Sequence, residues 1–208
     1  MTITSQDRAF FSETAAEFHT QYELDHCLPT AVKNVLNELA DRIDEPKLQT
    51  NMSDLNDHLD YREGAAAASD RLGARLDPLL EEHGYETRTM TGTSIEELAG
   101  IIDDQSASLP CCDLDPEYFA TVDRGYAVES GVDRYGRWPH TVIPFAVNDS
   151  SVLYFDPFLE FFADDSESLE MELDQDTLSG SSSGHVPRSD GHSVEPEEQS
   201  TLSAFGRQ

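Results

Sequence analysis

The sequence contains few basic residues and almost no lysine. Its 208 residues include 13 Lys and Arg against 42 Asp and Glu, which gives a formal net charge of −29 at pH 7. Lys33 and Lys47 are its only lysines. No cluster of basic side chains is available to displace the counterions of a phosphate backbone, so nucleic-acid binding is excluded as the expected function.

So large a negative charge has two possible explanations. An acidic disordered chain is one, but apolar residues recur periodically through most of this sequence, which a solvated polyelectrolyte would lack. The other is a cytoplasm at molar salt, where the Debye length falls to about 3 Å and self-repulsion is screened. The acid-rich, lysine-poor balance resembles that of haloarchaeal proteins, and we favour a salt-adapted globular protein.

The chain also lacks long apolar runs. No segment approaches the roughly 20 consecutive apolar residues of a membrane-spanning helix. The amino-terminal stretch MTITSQDRAFFSETAAEF has neither a basic start nor a continuous apolar segment, so no secretory signal is expected. We therefore expect a soluble, cytoplasmic protein with no membrane partner.

Cysteine is scarce, with only Cys27, Cys111 and Cys112 in the chain. Adjacent cysteines rarely form a relaxed disulfide, so we expect reduced thiols. A metal site at Cys111 and Cys112 is an alternative, but no second ligand pair at zinc-finger spacing accompanies them. The acidic runs also lack the ligand spacing of an EF-hand. We predict no metal and no other cofactor.

Apolar residues at helical spacing begin directly after Cys27 and continue to Ile43. They predict a helix with Pro29 in its first turn, where the missing N–H of proline costs nothing. Cys27 is therefore expected at a helix N-terminus. Further helices are predicted over residues 52–59 and 65–83 and, from a capping box at Ser94, through Ile102.

Strands are predicted over residues 85–90, 125–129, 141–147 and 152–155, the last two joined by turn residues at 148–150. From Ala163 onward the composition shifts to acidic residues, Ser and Gly. We predict one domain over residues 1–163 and a partly ordered acidic, Ser- and Gly-rich extension over residues 164–208.

The predicted hairpin gives a geometric hypothesis. Residue 148 lies midway between His140 and Asp156, so a hairpin centred there would place the two residues directly opposite each other. Opposed antiparallel residues share a face with Cβ atoms about 4.5–5.5 Å apart, close enough for a carboxylate to orient an imidazole. His140 would then be a general base and Asp156 its orienting group.

Cys27 completes this arrangement as a nucleophile. The first N–H groups of a helix and the helix dipole favour a thiolate, and a nearby imidazolium would stabilise it further. The oxyanion formed by attack on a carbonyl needs hydrogen-bond donors. The backbone N–H of Cys27 and the side-chain amide of Gln21, six residues upstream, are the candidates.

Two blocks carry a family resemblance. The segment Gln21-Tyr-Glu-Leu-Asp-His-Cys27-Leu-Pro-Thr-Ala31 resembles the glutamine-to-cysteine motif of the double-glycine leader (bacteriocin-processing) cysteine peptidases and their stand-alone relatives. The block His140-Thr-Val-Ile-Pro-Phe-Ala-Val with Asp156-Pro157 resembles their histidine strand. The resemblance implies an α+β, papain-like fold in which an N-terminal helical part, with the nucleophile helix, packs on an antiparallel sheet. It also implies hydrolysis of a peptide or related acyl bond.

One position departs from this family. The residue after the cysteine is usually glycine, and here it is Leu28, which adds bulk beside the nucleophile.

Our first hypothesis is a cysteine peptidase or amidase with a peptide or protein substrate. The alternative is a catalytically silent papain-like module that binds a peptide. Acyl transfer to an amine, as in transglutaminase-like folds, is a third interpretation against which the Gln21 spacing argues. The oligomeric state is left open.

Overall fold

The protein is described from a computed structural model. The structure describes residues 3–21, 26–62, 72–83, 85–90, 95–103, 108–114, 140–148, 151–158, 171–174 and 191–196. Its helices are α1 (Ser5–Ala15), α2 (Cys27–Arg42), α3 (Met52–Leu59), α4 (Leu72–Leu80) and α5 (Ile95–Asp103), with 3₁₀ turns at Pro46–Leu48 and Glu81–His83. Its strands are β1 (Tyr85–Met90), β2 (Cys111–Leu114), β3 (His140–Val147), β4 (Ser151–Phe155), β5 (Met171–Asp174) and β6 (Gly191–Pro196).

Most predicted elements that fall on described residues are confirmed. The helix beginning at Cys27, the helix at 52–59, the strand at 85–90 and both strands of the hairpin correspond to α2, α3, β1, β3 and β4. α5 ends at Asp103, one residue past the predicted end. The helix predicted from residue 65 is described only from Leu72 onward. The candidate strand at 125–129 and the Ser94 cap lie outside the described residues.

α1 is a helix that the apolar spacing does not indicate, because only Phe11 and Ala15 of it are buried. Its start is defined by a reciprocal cap. The Thr4 hydroxyl accepts a hydrogen bond from the N–H of Asp7 at 3.2 Å, and the Asp7 carboxylate accepts one from the N–H of Thr4 at 2.6 Å. A hydroxyl residue followed three positions later by an acid is the sequence signal for this helix.

The strands form a sheet in the order β1-β6-β2-β3-β4-β5. Each described pair of neighbouring strands is antiparallel. The predicted α+β class with an antiparallel sheet is therefore confirmed.

Two of these strands come from the segment predicted to be an extension. β5 pairs with β4, and β6 lies between β1 and β2, so the carboxyl-terminal part of the chain contributes to the sheet. The acidic, Ser-rich sequence of this segment shows little apolar alternation and therefore did not predict a strand. β6 is held by backbone pairing with the strands on both sides, which the sequence of β6 alone does not reveal. The domain boundary at residue 163 stays a prediction.

The main core forms where α2 packs on β3. Ala31, Leu36 and Leu39 of α2 and Ile143 of β3 are fully buried within one apolar cluster. α1 closes one side of this core through aromatic side chains. The ring of Phe145 lies 4.9 Å from that of Phe11, edge-on, and 5.7 Å from those of Phe10 and Phe18.

Within the described part of the chain, no helix combines the length and the apolar character needed to cross a bilayer.

Glu38 of α2 is an acidic side chain held inside the fold. Its side chain is 7 % exposed, and its Oε1 lies 3.4 Å from Nε of Arg42. Burial raises the pKa of the Glu38 carboxyl above its ordinary value, while Arg42 and the backbone N–H of Leu109 oppose that shift and Asp41 adds to it. Between the ordinary pKa of a glutamate and the raised pKa of Glu38, the folded state binds more protons than the unfolded state. This group therefore lowers the free energy of unfolding as pH rises through that interval.

We expect Glu38→Gln to stabilise the protein at pH 7, because the amide keeps the shape of the side chain without a buried charge. The melting temperature should rise by about 2–4 °C, the shift that roughly 1 kcal/mol produces in a chain of this size. The gain should shrink as pH falls, because the carboxyl then becomes protonated and, like the amide, carries no charge. Exposed Glu13→Gln is the control for simply removing one negative charge, and equal gains from the two variants would contradict the prediction.

Candidate active site

Cys27 is the first residue of α2, and its side chain is partly exposed. The helix begins with the bond from the N–H of Thr30 to the carbonyl of His26, at 3.1 Å. No acidic residue lies in the first turn, although the chain has 42 of them. The positive end of the α2 dipole is therefore not offset by an acid of its own first turn.

Leu28 does not lie over the thiol as an obstruction. It is 4 % exposed and belongs to the hydrophobic cluster beneath α2. Cys27 and Leu28 are consecutive residues of a helix and therefore point in directions about 100° apart. The bulk that distinguishes this chain from the glycine of the resembled family is thus directed into the core.

Gln21 is fully buried and is tied to two other parts of the molecule. Its backbone N–H donates to the carbonyl oxygen of Pro157 at 2.8 Å. Two residues before it, His19 forms a reciprocal pair with Asn34 of α2. The His19 N–H donates to Asn34 Oδ1, and Asn34 Nδ2 donates to the His19 carbonyl, both at 2.9 Å. The Gln21 segment therefore connects α2 with the turn after β4.

Asp156 follows the last residue of β4 and is fully buried. Its Oδ1 accepts a hydrogen bond from the N–H of Phe158 at 2.9 Å. This side-chain bond to the backbone two residues on defines a tight turn that also includes Pro157. The carboxylate is fixed by its own turn, and the Pro157 carbonyl of the same turn receives the N–H of Gln21.

His140 is the first residue of β3, and its backbone pairs with Leu114 of β2. The predicted direct opposition of His140 and Asp156 is wrong. Val147 pairs with Val152, so the hairpin is centred between residues 149 and 150 rather than at 148.

A β-bulge between Pro144 and Ala146 then changes the register by one residue. Beyond the bulge Ile143 pairs with Phe155, which is the last residue of β4. Direct opposition of residues 140 and 156 would require residue 141 opposite residue 155, and the observed register excludes that pairing.

Pro144 is the sequence signal for this irregularity. Proline has no N–H for the ladder and within a sheet is confined to edges, strand ends and bulges. β3 lies between β2 and β4, so a proline inside it indicates a bulge. Pro144 indicates the bulge, but it does not indicate the centre of the turn.

His26 directly precedes Cys27 in the sequence. It occupies the N-cap position of α2 without a side-chain capping bond. Its ring is 5 % exposed, lies 4.4 Å from the ring of Tyr61, and has Nε2 3.1 Å from Oδ1 of Asn56. The residue packs against α3 and the turn that follows it, which fixes the backbone at the start of α2.

None of the three cysteines, all of which the structure describes, forms a disulfide, and Cys111 and Cys112 are buried at the start of β2. Among the described residues, no three metal-ligating side chains come together. The described part of the chain therefore adds no support to a metal site at this pair.

The fold has a counterpart among solved structures. The peptidase domain of Streptococcus ComA, described as a bi-functional ABC transporter involved in quorum sensing, superimposes with a TM-score of 0.50. The match covers 86 % of this chain and 97 % of that domain. The two chains share a fold. Their sequence identity is 9 %, so the likeness concerns architecture and not residue roles. No protein-family profile and no curated protein matches the sequence.

Proposed function

We propose that this protein is a cysteine peptidase or amidase with Cys27 as nucleophile, His140 as general base, Asp156 as orienting group and Gln21 as oxyanion donor. The observation that carries the proposal is the hydrogen bond from the Gln21 N–H to the Pro157 carbonyl. It joins the segment before Cys27 to the turn that contains Asp156, although the two are more than a hundred residues apart in sequence. These are the two blocks that a Cys-His-Asp mechanism must bring together.

In the proposed reaction, His140 takes the thiol proton and Cys27 Sγ attacks the carbonyl carbon of the substrate. The carbonyl oxygen becomes an oxyanion that accepts hydrogen bonds from the Gln21 amide and the Cys27 N–H. The C–N bond then breaks as His140 returns its proton to the leaving amine, and a thioester remains on Cys27. Water, deprotonated by His140, hydrolyses this acyl-enzyme and restores the thiol.

The surroundings of these residues support the roles. Asp156 is fully buried, so a hydrogen bond from its carboxyl group to an imidazole would form without competition from bulk water. Leu28 points into the core, so its bulk gives no steric reason to prefer a silent binding module over an active enzyme. The shared fold with a peptidase domain favours a peptide as the substrate.

Alkylation of each cysteine by iodoacetamide, followed by mass spectrometry as a function of pH, tests the proposal. We expect Cys27 to react rapidly at about pH 6, where an ordinary thiol with a pKa of about 8.5 is almost entirely protonated. His140→Ala should abolish that fast reaction. The buried Cys111 and Cys112 serve as internal controls within the same sample.

Two results would contradict the proposal. One is a Cys27 rate that follows ordinary thiol ionisation, and the other is a rate that His140→Ala leaves unchanged. Either would leave the fold as a scaffold for binding peptides without cleavage, and peptide binding would then be the property to measure.

A further inference from the structure

Asn34 is a buried polar residue on an apolar face of α2. It is 1 % exposed and lies between Ala31 and Val35, which both belong to the core cluster. Burying an amide costs free energy unless all of its polar atoms are bonded. Both side-chain atoms of Asn34 are used, and both bind the backbone of His19.

The side chain of Asn34 thus acts towards His19 as a neighbouring strand would. It accepts from the N–H and donates to the C=O of the same residue, each at 2.9 Å. Two such bonds fix both the position and the orientation of the His19 peptide units relative to α2. Asn34 stands seven residues after Cys27, about two helical turns, and therefore on the same face of the helix.

Gln21 is two residues from His19, and its own backbone N–H donates to the carbonyl of Pro157. The segment that presents the Gln21 amide is consequently anchored at two points, to α2 and to the Asp156 turn. We propose that Asn34 is a positioning residue that sets the Gln21 amide relative to Cys27 and so determines how well the oxyanion is stabilised. The inference rests on the proposed function, because it assigns a task to the oxyanion donor of that site.

The test compares two reactions of the same thiol. Alkylation by iodoacetamide is a displacement at a saturated carbon and forms no oxyanion. Acylation by p-nitrophenyl acetate forms a tetrahedral oxyanion, makes a C–S bond, and releases p-nitrophenolate as the C–O bond breaks. A residue that acts through Gln21 should therefore affect acylation and leave alkylation unchanged.

We expect Asn34→Ala to lower the acylation rate of Cys27 by about 10- to 100-fold, the range expected for a displaced oxyanion donor. The alkylation rate should change less than about twofold. Gln21→Ala should have the same pattern, and the double variant should be no slower than Gln21→Ala alone, since the two residues act in series. A purely structural role would lower both reactions together or neither.

Asn37→Ala is the matched control. Asn37 lies nearly one turn further along the same helix, and its Oδ1 accepts from the N–H of Thr50 at 3.3 Å, away from His19. Its variant should retain wild-type acylation. Because a truncation at a buried site carries a risk of unfolding, circular dichroism and hydrogen exchange accompany the rates, and Asn34→Ser provides a second, smaller polar replacement.

Hydrogen exchange gives a readout that does not depend on catalysis. Asn34→Ala should increase the exchange rates of the His19 and Gln21 amides by at least about tenfold, since both bonds of the segment weaken. Unchanged exchange, or acylation and alkylation that fall together, would overturn the inference. If wild-type Cys27 does not acylate at all, the proposed function fails, and the positioning role fails with it. If Gln21→Ala lowers acylation and Asn34→Ala does not, the inference on Asn34 alone is wrong.

Discussion

Cys27→Ser is expected to reduce hydrolysis of a pooled library of fluorogenic peptide amides by at least about 10³-fold, to the uncatalysed background. The nucleophile is the group whose loss removes the whole covalent pathway, so no other single substitution should have a larger effect. Serine keeps the shape of the side chain, but its hydroxyl is a much weaker acid than a thiol, so the proposed imidazole base would not ionise it. The stability of the fold should change little, since the residue is partly exposed at the helix start.

Cys112→Ala is the control for general effects of removing a thiol. Cys112 is buried in β2 and paired with Val142 of β3, outside the proposed catalytic group. Its variant should retain hydrolysis at the wild-type level while losing some stability. Equal losses from Cys27→Ser and Cys112→Ala would show that hydrolysis does not depend on the Cys27 thiol.

The second large effect is expected at Asp156, where alanine and asparagine should differ. Asp156→Ala removes the acceptor for the Phe158 N–H, which is a buried hydrogen bond of 2.9 Å. We expect a loss of about 1–3 kcal/mol in the free energy of unfolding and a fall in peptide-amide hydrolysis of at least about 100-fold, because the base is no longer oriented. Urea unfolding and the library assay measure the two effects.

Asp156→Asn should be much milder. Its Oδ1 still accepts from the Phe158 N–H, and an amide orients the imidazole in the Cys-His-Asn variant of the triad. Hydrolysis should fall by no more than about tenfold, because a thiolate–imidazolium pair needs orientation more than it needs a negative charge behind the base. A loss as large as that of the alanine variant would mean that the carboxylate charge itself is required.

Both predictions depend on a hairpin that the sequence describes only partly. Two short, largely apolar segments separated by the turn-forming residues 148–150 were enough to place β3 and β4, because these are properties of neighbouring residues. The register of the two strands could not be placed in the same way, because it depends on one extra residue of β3, Phe145, between Pro144 and Ala146. The bulge shifts the pairing of β3 with β4 by one residue, and the bulged residue, Phe145, packs against the rings of Phe10 and Phe11 of α1.

The same distinction applies to α2, the helix that begins at Cys27. Helical spacing after Cys27 predicted the start of α2, since apolar periodicity and a proline in the first turn act within the helix itself. The sequence does not show whether the Leu28 side chain points towards the thiol or into the core, because a leucine is compatible with both positions. Its burial in the core cluster is a property of the tertiary structure.

The salt-adapted interpretation of the −29 charge is independent of the fold and stays a prediction, as does a cytoplasmic location. Charge composition describes how the surface interacts with solvent and ions rather than how the chain folds.

What the sequence by itself determined is therefore local: the N-terminal position of Cys27 on a helix, the six-residue spacing to Gln21, and two strands with a turn between them. Only the tertiary structure decided three further features. It joined Gln21 to the Asp156 turn, assigned Asn34 to the His19 backbone, and inserted β6 between β1 and β2. The physical reason is that helices and turns are set by interactions between residues close in sequence, whereas contacts between distant segments are selected by the packing of the whole core.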